Sequence, residues 1–333
     1  MAPTLHDVRF AADRELFEAL LKDEHLAGPL QSHAAYEHHR KIVRMHLLSS
    51  AVRVDARMLP KLAASIDAMH ERAHYEGEVE AYVFEDPAIN AFMAEGEKRT
   101  FLGISSGAVN GLSGRELEFV IGHELGHAFF RHADAHAILQ NEEDLSTTLR
   151  KKIYAWRRAS EISADRCGLV CCGDLDIAAT AMFRTLSGLG DKDLSVHAED
   201  FAEQWDHLLD EVIRGGDDDL WENSHPFPPL RMKAMLLLWR SDAALLPPDR
   251  PAPTRTLEHA DEEVRRLLST MDPLARKEVG RDPVLEDFWL WGGLCLATTQ
   301  GIVDARAKET LKKLVARGAI EQSLQEANTE EAF

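Results

Sequence analysis

The chain has 333 residues, 45% hydrophobic and 29% charged, enough apolar material for one large globular domain or two modest ones. Lys and Arg number 38 against 57 Asp and Glu, and the resulting formal charge of −19 repels nucleic-acid phosphates and anionic membranes. No basic cluster reverses it, so no nucleic-acid partner is expected. The longest apolar stretches, 234–239 and 288–297, fall far short of the ~20 residues that cross a bilayer, so membrane insertion is not expected either. Residues 1–10 show no basic start followed by an apolar run, which predicts no signal peptide and a cytoplasmic chain. Cys167, Cys171, Cys172 and Cys295 lack C-x-x-C spacing and read as buried reduced thiols.

Residues 14–75 read as helices, because Leu16, Leu20, Leu21 and then Ile42, Val43, Met45 and Leu47 recur at helical spacing. Gly28-Pro29 separates the first two, and Pro60 opens the third. Val79, Ala81 and Val83 alternate with polar neighbours, predicting a strand at 79–84, and 100–105 reads as a second. Ser113 and Glu116 form a capping box ahead of an apolar stripe that predicts a helix to about Ala133. Helices are expected at about 142–171, 176–188 and 198–214, and another after the break at Pro226, Pro228 and Pro229, ending near Trp239. Pro247, Pro248, Pro251 and Pro253 have the composition of a semi-rigid linker.

His123-Glu124-Leu125-Gly126-His127 is an H-E-x-x-H sequence on the capped helix. The i,i+4 spacing puts both imidazoles on one face, able to grip one metal ion, with Glu124 placed to act as general base. A catalytic zinc needs three protein ligands and an open position, so a third must come from elsewhere. His70-Glu71-Arg72-Ala73-His74 also matches. That copy sits at a helix end with little apolar surface to lock it, and His70 and His74 read as solvent-facing. The copy at 123 is embedded between Phe119-Val120-Ile121 and Ala128-Phe129-Phe130, where packing can hold ligand geometry. Downstream, Glu161 and Asp165 share one helix face. Glu161 is the natural third ligand, and Asp165 can accept the N–H of a ligating histidine. His132 and His136 read as a polar face, and His33, His38, His39 and His46 as solvated.

Taken in order, these blocks resemble the gluzincin metallopeptidases of the M48 class, relatives of the CAAX-processing and heat-shock proteases. The blocks are Asn90-Ala91-Phe92 after a strand, the motif at 123 with Arg131-His132, Glu161 with Ala164-Asp165, and Ser224-His225-Pro226 with Arg231, spanning roughly 75–240. The resemblance implies zinc, one per chain, held by His123, His127 and Glu161, with Glu124 as base and proton shuttle. It implies that His225 steadies the oxyanion and that Asp165 and Arg231 support the site. It also implies that Asn90, Ala91 and Phe92 bind substrate, with the strand at 100–105 receiving an extended peptide by β-augmentation. The membrane-spanning helices of those proteases are missing. Gly292-Gly293, Gly301 to Asp304 and Glu309 are similar to the helical module of tellurite-resistance proteins.

The expected fold is α+β and mostly helical: a zincin-like core with a small edge-stranded sheet and flanking helices. Residues 1–75 would be an N-terminal helical segment packing on the core, 76–242 the peptidase core, 243–256 a Pro-rich linker, and 257–333 a helical module available to a partner. The expected activity is that of a zinc-dependent endopeptidase hydrolysing peptide or protein substrates, with a latent or silent zincin-fold binding module as the alternative.

Overall fold

The mostly helical α+β class is borne out in the computed structural model, which describes residues 4–27, 33–75, 77–95, 99–132, 135, 145–190, 196–215 and 218–272. A 3-10 turn at Leu5–Val8 precedes α1 (Ala11–Leu21), α2 (His33–Ser50), β1 (Val52–Arg53) and α3 (Pro60–Ala73), where Pro60 takes the first helical turn, the place its missing N–H is not needed. Three further strands follow, β2 (Glu78–Phe84), β3 (Ala91–Glu95) and β4 (Arg99–Ser105). The sheet order is β1-β2-β4-β3, with β2 parallel to β4 and the other pairs antiparallel.

Two of these strands, β2 and β4, match the alternation in the sequence. β1 is too short to show any, and β3 hides because it is apolar on both faces: Met93 enters the main core while Phe92 packs on the other side with Leu47, Tyr82 and Phe101. The topology also corrects one expectation. β4 is paired on both sides, so it has no free backbone to offer a substrate strand; the edge beside it is β3.

The helices after the sheet are α4 (Ser106–Gly111), α5 (Gly114–Phe129), α6 (Thr147–Cys172), α7 (Leu175–Ser187), α8 (Ala198–Gly215), α9 (Pro228–Trp239) and α10 (Leu257–Ser269). The Ser113 hydroxyl accepts from the Glu116 amide while the Glu116 carboxylate accepts from the Ser113 amide, closing the capping box that starts α5. α5 ends four residues before Ala133, because the backbone turns left-handed at Arg131 (φ 63).

α5 and α6 cross closely because their facing residues are small. A Cβ on Gly122 would lie 2.5 Å from Cys171 Cβ, and one on Gly126 3.0 Å from Ala164 Cα. This crossing brings the motif on α5 against Glu161 on α6. The N-terminal residues are equally embedded, since Leu5, Val8 and Phe10 are fully buried. Residues 243–256 are irregular but pinned, as Arg250 donates to the carbonyls of Trp239 (2.9 Å) and Ser241 (2.7 Å). Among the described residues no helix is long and apolar enough to cross a membrane. Cys295, His136, most of the 257–333 module and the stretch similar to tellurite-resistance proteins lie outside the described residues.

Candidate metal centre

The i,i+4 spacing on α5 and the α5–α6 crossing bring three ligand atoms together. His123 Nε2 lies 3.2 Å from His127 Nε2, His127 Nε2 lies 3.3 Å from Glu161 Oε1, and His123 Nε2 lies 3.7 Å from Glu161 Oε2. A tetrahedral zinc with bonds of about 2.0–2.1 Å has ligand–ligand edges of about 3.3–3.4 Å, so this triangle has the size the ion demands. Among the described residues, these three are the group able to hold a metal ion.

The hydrogen bonds around the triangle orient its rings. His123 Nδ1 donates to Asp165 Oδ1 at 3.0 Å, which orients the ring with Nε2 toward His127 and Glu161. His127 Nδ1 lies 3.2 Å from His132 Nδ1, and His132 Nε2 lies 3.1 Å from Asp13 Oδ2. With His132 donating to the Asp13 carboxylate, its Nδ1 accepts from His127, and the His127 ring presents Nε2 to Glu161 Oε1. Two imidazole nitrogens and a carboxylate then converge on one point, an arrangement that favours a cation.

Charge around the centre is balanced by Arg231 on α9. It donates to both oxygens of Asp165, at 2.8 and 2.6 Å, and stands 3.5 Å from Glu161 Oε2. Burial acts to raise the Glu161 carboxyl, yet His127, Arg231 and His123 hold it well below the usual carboxylate range. Burial opposes ionisation of Asp165 too, and Arg231 with His123 keeps it lowered. At Glu124 burial prevails, pushing the carboxyl above its ordinary value against the pull of His123 and His127. His225 sits at the rim, its side chain 64% exposed, with Nε2 3.4 Å from Glu161 Oε1 and Nδ1 2.9 Å from the Ser224 hydroxyl.

A cleft of about 160 Å³ opens beside the ligands. Asn90 and Ala91 border it where β3 begins, Glu124 faces it, and Phe119, Val120, Met182 and Leu186 form an apolar side. Phe92 does not line it: the strand alternation turns its ring to the far face, 5.6 Å from the Phe84 ring. The second H-E-x-x-H copy fails as a helical pair, because α3 ends at Ala73 and His74 is left-handed (φ 47). His70, expected in solvent, is half-buried against Tyr75.

His132 departs furthest from expectation, being fully buried instead of part of a polar face. Asp13 was missed. Its signal was present, since it stands in register with Leu16 and Leu20 on the buried stripe of α1, where an apolar residue is the rule.

Comparison with known proteins bears on the part of the chain that carries the motif. Residues 56–150 match the sequence model of Peptidase family M48. The M48 match bears out the family resemblance drawn from the ordered blocks, while Glu161, His225 and Arg231 lie beyond the matched residues. The Plastoglobule-localized metallopeptidase 48, chloroplastic, of Arabidopsis thaliana is 25% identical over 171 residues, 46% of this chain. The chain spans about half the length of that curated relative, 49% of it. No solved structure matches the chain.

Proposed function

We propose that the protein is a zinc-dependent peptidase that cleaves within peptide or protein chains. The observation that carries this is the triangle of His123 Nε2, His127 Nε2 and a Glu161 oxygen, whose edges of 3.2, 3.3 and 3.7 Å suit one tetrahedral ion beside an open cleft. When bound, the ion supplies Lewis acidity, polarising a carbonyl and acidifying water.

The chain's own residues then have separable tasks. Glu124, facing the cleft, takes the proton of the attacking water and delivers it to the leaving amine, and its raised carboxyl pKa suits a group that must hold a proton between those steps. His225, with Nδ1 engaged by Ser224, presents Nε2–H from the rim to the oxygen that becomes negative in the tetrahedral intermediate. Asp165 and Arg231 hold His123 and Glu161 in place. The edge of β3, unpaired among the described residues, supplies backbone groups for an extended substrate, with Asn90 and Ala91 at its start. The apolar side formed by Phe119, Val120, Met182 and Leu186 favours substrates with an apolar side chain near the cleaved bond. The cytoplasmic location belongs to this proposal, as does a role for the residues after 257 in partner binding.

Metal analysis together with peptide hydrolysis tests the reading. The native protein should bind one zinc per chain and lose it in His123→Ala/His127→Ala but not in His70→Ala/His74→Ala. Glu124→Gln should keep the zinc and lose about a hundredfold or more in turnover, since a general base contributes on that order. Zinc retained by the first double variant, or full turnover by Glu124→Gln, sinks it.

A further inference from the structure

Asp13 is an expensive residue. It lies fully buried on α1, and four donors saturate it: Arg9 Nε at 2.7 Å, the Ser163 hydroxyl at 2.7 Å, Trp156 Nε1 at 3.0 Å and His132 Nε2 at 3.1 Å. Burial acts to raise this carboxyl, and His132 and Arg9 hold it well below the usual range. A contact needed only to pack α1 on α6 could be made by apolar residues at no such desolvation cost. The polar alternative has one particular consequence here, because His132 carries the chain of hydrogen bonds onward to His127 Nδ1.

The backbone also spends strain to make that link. Arg131 takes the left-handed conformation (φ 63), which costs a non-glycine residue about 1–2 kcal/mol. The turn ends α5 and folds His132 back beneath the last turn, where its ring lies 5.3 Å from that of His127.

We infer that Asp13 and His132 are positioning residues for the metal centre, fixing the ring of His127 with Nε2 toward the ion and making α1 a working part of the site. This rests on the peptidase reading for the assignment of His127 as a ligand. Neither residue touches substrate. Their effect is on how firmly the ion is held, and through that on turnover.

The test is the zinc dissociation constant of the full chain, measured by competition with a chromophoric chelator, alongside the cobalt(II) absorption spectrum. His132→Phe keeps ring volume among Phe130 and Trp156 but removes both nitrogens, and Asp13→Asn keeps the shape but removes the charge. Val8→Ala serves as a packing control, since Val8 is a buried core residue with no side-chain link to the relay. Both relay variants should bind zinc about 10–100-fold more weakly and shift the cobalt spectrum, while Val8→Ala changes affinity by no more than about twofold despite a lower melting temperature. Unchanged affinity in both relay variants overturns the inference, as does equal weakening in Val8→Ala, which would make the effect general destabilisation. If His132→Phe does not fold, Asp13→Asn decides alone. A wild-type protein that binds no zinc overturns the peptidase reading, whereas wild-type binding with unaffected relay variants overturns the relay only.

Discussion

At Arg231 one side chain answers two buried carboxylates. Replacing it with leucine leaves Asp165 and Glu161 facing each other's charge, and stranding one partner of a buried pair typically costs about 3–5 kcal/mol. Arg231→Leu should therefore lower the melting temperature of the metal-free protein sharply, and saturating zinc should recover part of the loss because Glu161 regains a positive partner. Thermal unfolding with chelator and with zinc measures both, and a deficit independent of zinc would show that Arg231 serves packing alone. The thiols give a second prediction at this scale. Burial raises all three described cysteines, Cys172 to about 12, so in a Cys295→Ser background none should react with a disulfide reagent at pH 8 until denaturant is added. A thiol that reacts at once in the native protein would contradict the packing of α6. The candidate ligands His123 and His127 were legible as a pair because two histidines four apart must share a helix face. Asp13 was not, because an acid on an N-terminal helix is ordinary until its register with Leu16 and Leu20 is weighed.

Among the elements, α5 and α6 decide the site, and glycines set their distance. Gly122→Ala would put a methyl 2.5 Å from Cys171 Cβ, forcing the helices apart. The expected cost is about 1–3 kcal/mol, with weaker zinc binding because Glu161 moves away from the histidines. Gly190→Ala, where nothing lies within 4 Å, should leave both unchanged. Chemical denaturation and the zinc dissociation constant check this, and a Gly122→Ala protein with wild-type affinity would show that the crossing tolerates more room than its geometry implies. The ends of α7 and α8 were legible to within a residue, because helical spacing is local, while α6 begins at Thr147, five residues after the expected start. β3 was not, because a strand buried on both faces shows no alternation, and without it the sheet order could not be derived. That is why β4, whose pattern was clear, was given the edge role that belongs to β3.

For the molecule as a whole, the question is where the chain can be cut. A division at 75 and 257 follows from composition, but burial crosses both positions. Leu5, Val8, Phe10, Leu62 and Met69 are core residues from the N-terminal segment, and Asp13 meets Ser163 and Trp156 on α6. On α10, Ala260 and Val264 are fully buried, joining Phe10, Trp205 and Leu230 in one apolar cluster. Removing either segment exposes those faces at about 25 cal/mol per Å² of apolar surface, a loss that a margin of about 5–15 kcal/mol cannot absorb. A chain beginning at Val79 should therefore lack cooperative unfolding and zinc binding together, and a gain of activity on that truncation is not expected, because the segment builds the site. Ending the chain after Thr256, before α10, should likewise lose both properties. Calorimetry with zinc titration on the two truncations decides the matter. A cooperative, zinc-binding protein from Val79 onward would mean that the N-terminal helices cover the catalytic core without building it, and the latent-enzyme alternative would then fit better than the one argued from Asp13.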